Sequence, residues 1–271
     1  MAIPRSREAQ EQFDRVAPGF FSSPLSYFET HGAGLVSAAG VKSGDRVLDL
    51  ACGAGSASIP AASIVGRSGK LVGIDISRGM LDVAARRART EGFHWAEFHQ
   101  RPVEELDLEE RFDVALCGFA VHHFDDQTTV PRVMARHLEP GGRWAFSLWA
   151  EGSSEPHRTV FNRLIRELRP DLAAAPGRSG PQGRAAIERL AHESGLSTRA
   201  IELAEVDHVL DNFDDYWHYV KTSGGRSLLT RVSEDEAQRI RDGLQAAIAP
   251  HLDSQGRLTL CMDALYVTGL R

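Results

Sequence analysis

Between residues 45 and 149 short apolar runs alternate with longer stretches whose apolar residues recur every three or four positions. Arg46-Val47-Leu48-Asp49-Leu50 follows the turn Lys42-Ser43-Gly44-Asp45 and reads as a buried strand. A helical pattern runs from Ser56 to about Val65. Leu71 to Ile74 is a second strand, ending at Asp75. Ser77 then caps a helix over 78–91 with Met80, Leu81, Ala84, Ala85 and Ala88 on one face. His94 to Phe98 and Phe112 to Cys117 read as strands three and four. A helix over 128–138 stops at Glu139-Pro140-Gly141-Gly142, and Arg143 to Trp149 is strand five. This alternation predicts right-handed βαβ crossovers and a mostly parallel sheet covered by helices on both faces.

The flanks follow a different rhythm. Residues 5–17 read as a helix broken by Pro18, Gly19 and Pro24, and residues 30–40 as a short helix. Beyond Ala150 a helix over 159–168 precedes LAAAPGRSGPQG, a Pro/Gly-rich surface insertion. Residues 184–194 resume helix until Gly195, residues 197–209 are strand-like, residues 212–252 are helical with a turn at Gly224-Gly225, and residues 257–270 are strand-rich. The expected organisation is a helical cap over 1–41, a ligand-binding core over 42–150, an insertion over 151–183, and the rest of the core over 184–271 with a helical lid at about 210–252.

Composition narrows the function. The 271 residues are 42% apolar, enough to bury a proper core. The net charge of −6 disfavours phosphate backbones, so no nucleic-acid partner is expected. Cys52, Cys117 and Cys261 are sparse and odd in number, which suits free thiols in a reducing cytoplasm. No Cys/His group has zinc spacing, no apolar run approaches bilayer length, and no secretory leader is visible. The expectation is a cytoplasmic protein with no metal and no membrane partner; a homodimer is left open.

The chemistry-bearing signal is Asp49-Leu50-Ala51-Cys52-Gly53-Ala54-Gly55-Ser56 between the first strand and its helix. Gly53 and Gly55 permit a sharp turn and a close ligand approach. Asp75 stands twenty residues after Gly55 at the end of the next strand, where a carboxylate accepts hydrogen bonds from ribose hydroxyls. A nucleoside-bearing ligand is therefore expected at the carboxyl ends of the first two strands. Position 58 is serine, so the GxGxxG pattern of dinucleotide sites is incomplete, which weighs against an NAD-dependent oxidoreductase. Asp49 repels a pyrophosphate and suits a cation, such as the amino-acid end of S-adenosylmethionine.

These residues resemble the class I S-adenosylmethionine-dependent methyltransferases. Val47 to Gly55 is similar to their nucleotide loop, and Val72-Gly73-Ile74-Asp75-Ile76-Ser77 with Met80-Leu81 to their acidic second-strand motif. Phe112 to Cys117, His122-His123-Phe124 and Leu138 to Gly142 resemble the ubiquinone/menaquinone-type branch. The resemblance implies a Rossmann-like α/β fold with a seven-stranded sheet, its last strand antiparallel, inserted near the edge and supplied by residues 257–270, plus helical cap segments. It implies that Ala51, Gly53, Gly55 and the rest of the loop contact the methionine moiety, with Asp49 nearby. Asp75 would hold the ribose, Ile76 and Met80 would sandwich the adenine, and the Cys117 backbone would receive the ammonium. The branch places an acidic residue where this chain has Pro102, so the adenine amine contact shifts to the Val103 amide and the Glu104 side chain. Tyr27 is expected to close over the cofactor carboxylate.

Methyl transfer is a displacement in which alignment does most of the work, and an oxygen or carbon nucleophile also needs a base. His122 and His123, just past the fourth strand, are the candidate bases. Aromatic residues crowd segments 13–28 and 207–231 (Phe13, Phe20, Phe21, Tyr27, Phe28, Phe213, Tyr216, Trp217, Tyr219), which suits a small, flat or hydrophobic substrate. His157, His208 and His218 fall in the cap, where a lone histidine is ordinarily a packing residue. The expected activity is methyl transfer to an O, C or N nucleophile of a small metabolite, as in natural-product biosynthesis, with S-adenosylhomocysteine as product. The alternatives are a quinone-pathway C-methyltransferase and a cofactor-binding scaffold or non-methylating catalyst.

Overall fold

In the computed structural model, residues 5–20, 27–172, 181, 183–222 and 226–271 are described. The main sheet has seven strands: β1 (Arg46–Leu50), β2 (Lys70–Asp75), β3 (Ala96–Gln100), β4 (Phe112–Gly118), β5 (Leu138–Trp149), β6 (Ser197–Ala204) and β9 (Ala264–Leu270). Their order is β3-β2-β1-β4-β5-β9-β6, with β1 to β5 parallel and β9 antiparallel to both neighbours. The expected Rossmann-like α/β sheet is therefore present, and its last strand is antiparallel. That strand lies between β5 and β6, one place in from the sheet edge, as the resemblance implied. The central strands are apolar on both sides because both faces are covered; Val47, Leu48 and Leu50 are fully buried.

Helices α1 (Arg5–Val16), α2 (Tyr27–Ala38), α3 (Ser58–Val65), α4 (Arg78–Thr90) and α5 (Thr129–His137) precede the sheet's second half. As expected, Ser77 caps α4, its Oγ accepting the Met80 amide at 3.1 Å, and Met80, Leu81, Ala84 and Ala88 are buried; Ala85 is half-buried. After β5 come α6 (His157–Leu168), α7 (Arg184–Glu193), α8 (Phe213–Thr222), α9 (Arg226–Leu229) and α10 (Glu234–Ile248). Strands β7 (Asp207–Leu210) and β8 (Leu258–Cys261) form a separate two-stranded sheet.

Three expectations shift. The third strand begins at Ala96, because residues 92–95 form the turn after α4. The fifth strand starts at Leu138, since Leu138 pairs with Phe112 before a register shift. The single strand expected over 197–209 is two strands in different sheets, and residues 257–270 divide the same way at Met262-Asp263. The Pro24 break, the Gly224-Gly225 turn and most of the Pro/Gly-rich insertion lie outside the described residues.

Two kinds of core result. One surrounds the sheet, with Trp144, Phe146 and Phe112 fully buried. Another joins Phe161 and Ile165 of α6 to Tyr216 and Val220 of α8, Ile240 and Leu244 of α10, and Leu258 and Leu260 of β8, with Tyr27 from α2 at its edge. This second core forms a cap that packs against Trp149 at the carboxyl end of β5.

Candidate active site

The loop after β1 is shaped by three left-handed residues: Ala51 at φ +54°, Gly53 at +53° and Gly55 at +85°. For Ala51 that conformation is strained, and the Cys52 amide bonded to the Ile74 carbonyl at 3.0 Å helps fix it. A Cβ on Gly53 would meet nothing within 4 Å, so the space before it is open. A Cβ on Gly55 would sit 3.2 Å from the Ala84 Cβ, so glycine there lets the loop pack on α4.

Two carboxylates flank the loop. Asp75 accepts the Gly53 amide at 2.8 Å through Oδ2 and the Ser77 amide at 2.8 Å through Oδ1, tying the loop to the tip of β2. Burial raises its pKa despite those hydrogen bonds. Asp49 is 1% exposed; its Oδ2 accepts the Ser58 hydroxyl at 2.5 Å, and its Oδ1 has no partner. Burial pushes the Asp49 carboxyl up to about 7, against the Ser58 hydrogen bond and helped by nearby Asp75. An orphaned oxygen on a carboxyl that resists ionisation is a seat for a cationic partner.

One cavity of about 780 Å³ opens from this loop toward the cap. Asp49, Ala51, Gly53, Asp75, Ile76 and Met80 line it. So do Val103, Glu104, Tyr27, His122 and His123, and Pro102 lies beside them. Gly55 and Cys117 are not on its wall: Gly55 packs against α4, and Cys117 is fully buried in the sheet core, with Gly118 and Phe119 reaching the cavity instead. Burial raises the Cys52 and Cys117 thiols, so neither is a thiolate. Tyr27 lines the cavity from α2. Its ring packs among Phe28, Trp149, His208 and Tyr219, and its hydroxyl is hydrogen-bonded to Tyr219.

His122 and His123 follow β4 with ring centroids 4.1 Å apart. Burial lowers both, His123 to about 4, with the neighbouring His122 adding to the effect. Both rings are therefore neutral at neutral pH, able to accept a proton but weak as bases. Phe13 of α1 meets His123 edge-on at 5.4 Å. Of the expected aromatics, Phe13, Phe20, Tyr27, Phe28, Tyr216 and Tyr219 line the cavity. Phe213 and Trp217 pack in the cap core, and Phe21 lies outside the described residues.

Several site residues escape sequence reasoning. Phe119, at φ +52°, stacks on Trp149 at 4.0 Å and 19°, forming an aromatic wall from the ends of β4 and β5. Behind it His31 is 1% exposed; its Nε2–H donates to the Met262 carbonyl at 2.7 Å, so Nδ1 accepts the Tyr266 hydroxyl at 2.8 Å. Asp14 of α1 accepts the Ser77 hydroxyl at 2.6 Å and the Gly79 amide at 2.9 Å, docking α1 on the start of α4. The position of Phe119 and Trp149 at strand carboxyl ends, where α/β folds bind ligands, is the signal that would find them. Asp14 and His31 carry no local signal. Among the described residues no three His, Cys, Asp or Glu side chains are grouped to hold a metal ion, and no helix is long and apolar enough to cross a membrane.

Comparison with known proteins adds a family. Residues 41–169 match the family model described as a methyltransferase domain. A 2-phytyl-1,4-naphtoquinone methyltransferase of Synechococcus elongatus is 40% identical over 107 residues, 38% of this chain and 46% of the relative. The chain thus spans about half the length of that curated relative. A demethylmenaquinone methyltransferase of Listeria welshimeri is 28% identical over 192 residues, 69% of this chain and 77% of the relative. Among solved structures, the cyclopropane-fatty-acyl-phospholipid synthase-like protein of Lactobacillus casei superposes with a TM-score of 0.61 at 17% identity, covering 97% of this chain and all of that one, which supports the fold. Residues 41–169 thus match a methyltransferase domain, on a chain with a Rossmann-like α/β sheet and with sequence similarity to quinone methyltransferases.

Proposed function

We propose that this chain transfers the methyl group of S-adenosylmethionine to an oxygen, carbon or nitrogen nucleophile of a small, flat, largely apolar metabolite. One observation carries the reading: a single cavity joins the loop carboxylates to the aromatic wall, with His122 and His123 on its lining. When bound, the cofactor supplies an electrophilic methyl on a sulfonium. The residues present fit it. Asp49, with an orphaned oxygen, would hold the cationic amino-acid end, whose charge would offset the burial penalty on its carboxylate. Asp75 takes the ribose hydroxyls while holding Gly53 in place. Ile76 and Met80, on the cavity wall, would give apolar faces to the adenine, and the Val103 amide and Glu104 side chain would supply polar contacts at its edge.

The chain's own residues then orient the acceptor. Phe119 and Trp149 hold a planar molecule, and the cap and α1 keep water from it. A neutral imidazole of His122 or His123 takes the proton released as the nucleophile is methylated. A quinone-type carbon acceptor is the second reading, favoured by the names of the two relatives.

Incubating the protein with S-adenosylmethionine and a panel of hydroxylated aromatics and hydroquinones, then reading products by mass spectrometry, tests the reading. It predicts at least one acceptor that gains a single methyl in step with S-adenosylhomocysteine. Adenosyl-ligand binding without any methylated product across the panel would favour the non-methylating alternative.

A further inference from the structure

We propose that the cap end of the cavity holds a hydrogen-bonding subsite, built by Ser153 and His157, that recognises a neutral oxygen function, a carbonyl or a hydroxyl, on the acceptor. The proposal rests on the methyl-acceptor reading above and names what that acceptor carries at the end remote from the loop.

Both residues line the cavity and both are 5% exposed. Ser153 Oγ and His157 Nδ1 are buried and have no hydrogen-bond partner. Folded interiors pair nearly all such atoms, so two orphans on neighbouring residues of one cavity lining point to a partner that arrives with a ligand. The surroundings offer no substitute. Phe161, Leu260 and Met262 are apolar, and the rings of Tyr216 and His251 meet His157 at 5.4 and 6.1 Å without bonding Nδ1.

The charge of the subsite sets the ligand class. Arg158 is the one Lys or Arg on the cavity lining among the described residues, and its guanidinium is paired with Glu155 at 2.7 Å. A carboxylate or phosphate would meet no uncommitted cation here. Burial, with His251 beside it, lowers His157 to about 4, so the ring is neutral and offers one N–H or one lone pair. The serine hydroxyl donates or accepts as its partner requires. A carbonyl accepts a hydrogen bond from the serine hydroxyl; a hydroxyl donates to one residue and accepts from the other. A planar molecule held by the aromatic wall then keeps its register through this contact.

Equilibrium dialysis of 2-naphthol against naphthalene isolates the oxygen, since the rings are otherwise alike. The wild-type protein is expected to bind 2-naphthol about three- to tenfold more tightly than naphthalene. Ser153→Ala and His157→Phe should each bring that ratio toward one while naphthalene binding is kept. The proposal is overturned by a wild type without the preference, including one that binds neither probe because ordered water fills the subsite, or by variants that retain the ratio. Should His157→Phe not fold, Ser153→Ala alone must lower the ratio. No turnover is needed, so the two readings separate. Adenosyl-ligand binding with an unchanged ratio in the variants removes the subsite and leaves the methyltransferase reading. A ratio lost in the variants of a protein that ignores adenosyl ligands does the reverse.

Discussion

Asp49 carries the sharpest local conflict in the molecule. A carboxyl 1% exposed, with one oxygen unpaired and its pKa pushed to about 7, burdens the ligand-free fold. Because the folded value lies above the unfolded one, the stability linked to this group is full below about pH 4 and is lost as pH rises through about 7. Asp49→Asn keeps an acceptor for Ser58 and removes the charge. The variant should gain stability over the wild type by up to about 4 kcal/mol above pH 7, and little near pH 4. It should also lose affinity for S-adenosylmethionine. Urea denaturation at several pH values checks the first effect; a stability difference that does not grow with pH contradicts it. The histidine pair has the opposite sign. Its folded values are depressed, so the stability it contributes is present above pH 6.5 and is lost as pH falls through them. An NMR titration of the His123 ring should show a midpoint near 4, and a midpoint at or above 6.5 would contradict its burial.

The site is assembled by element ends, and this explains what the sequence discloses. The loop from Asp49 to Ser56 and the acid at Asp75 are legible because strand, turn and helix cap are local patterns. The α4 face is legible for the same reason, as the buried Met80, Leu81 and Ala84 show. The aromatic wall is not, because Phe119 and Trp149 meet only when β4 and β5 pair, and Tyr27 joins them from α2. Residues 197–209 look like one strand since nothing in local hydropathy says that β6 joins β9 while β7 joins β8. Helix α2 depends on a contact equally hidden from periodicity. Gly32 lies so close to the loop that a Cβ would stand 2.1 Å from the Ser56 carbonyl oxygen. Gly32→Ala must push α2 off the loop, costing about 1–3 kcal/mol of stability and weakening adenosyl-ligand binding in parallel. Thermal unfolding with and without S-adenosylhomocysteine reads both, and an unchanged melting temperature would show that the loop yields freely.

Taken together, the sheet core and the cap core enclose one cavity that is acidic at the loop and aromatic toward the cap. Such a division suits a ligand with a cationic end meeting an uncharged planar partner. The methyltransferase-domain model matches residues 41–169, while the cavity wall also draws on residues beyond them, such as Tyr216 and Tyr219. Isothermal titration of the protein with S-adenosylmethionine, S-adenosylhomocysteine and NAD addresses the loop carboxylates directly. The account predicts saturable one-to-one binding of both adenosyl ligands, none of NAD, and a large loss of affinity in Asp75→Ala. Tighter binding of NAD, or heat from neither adenosyl ligand, would contradict it.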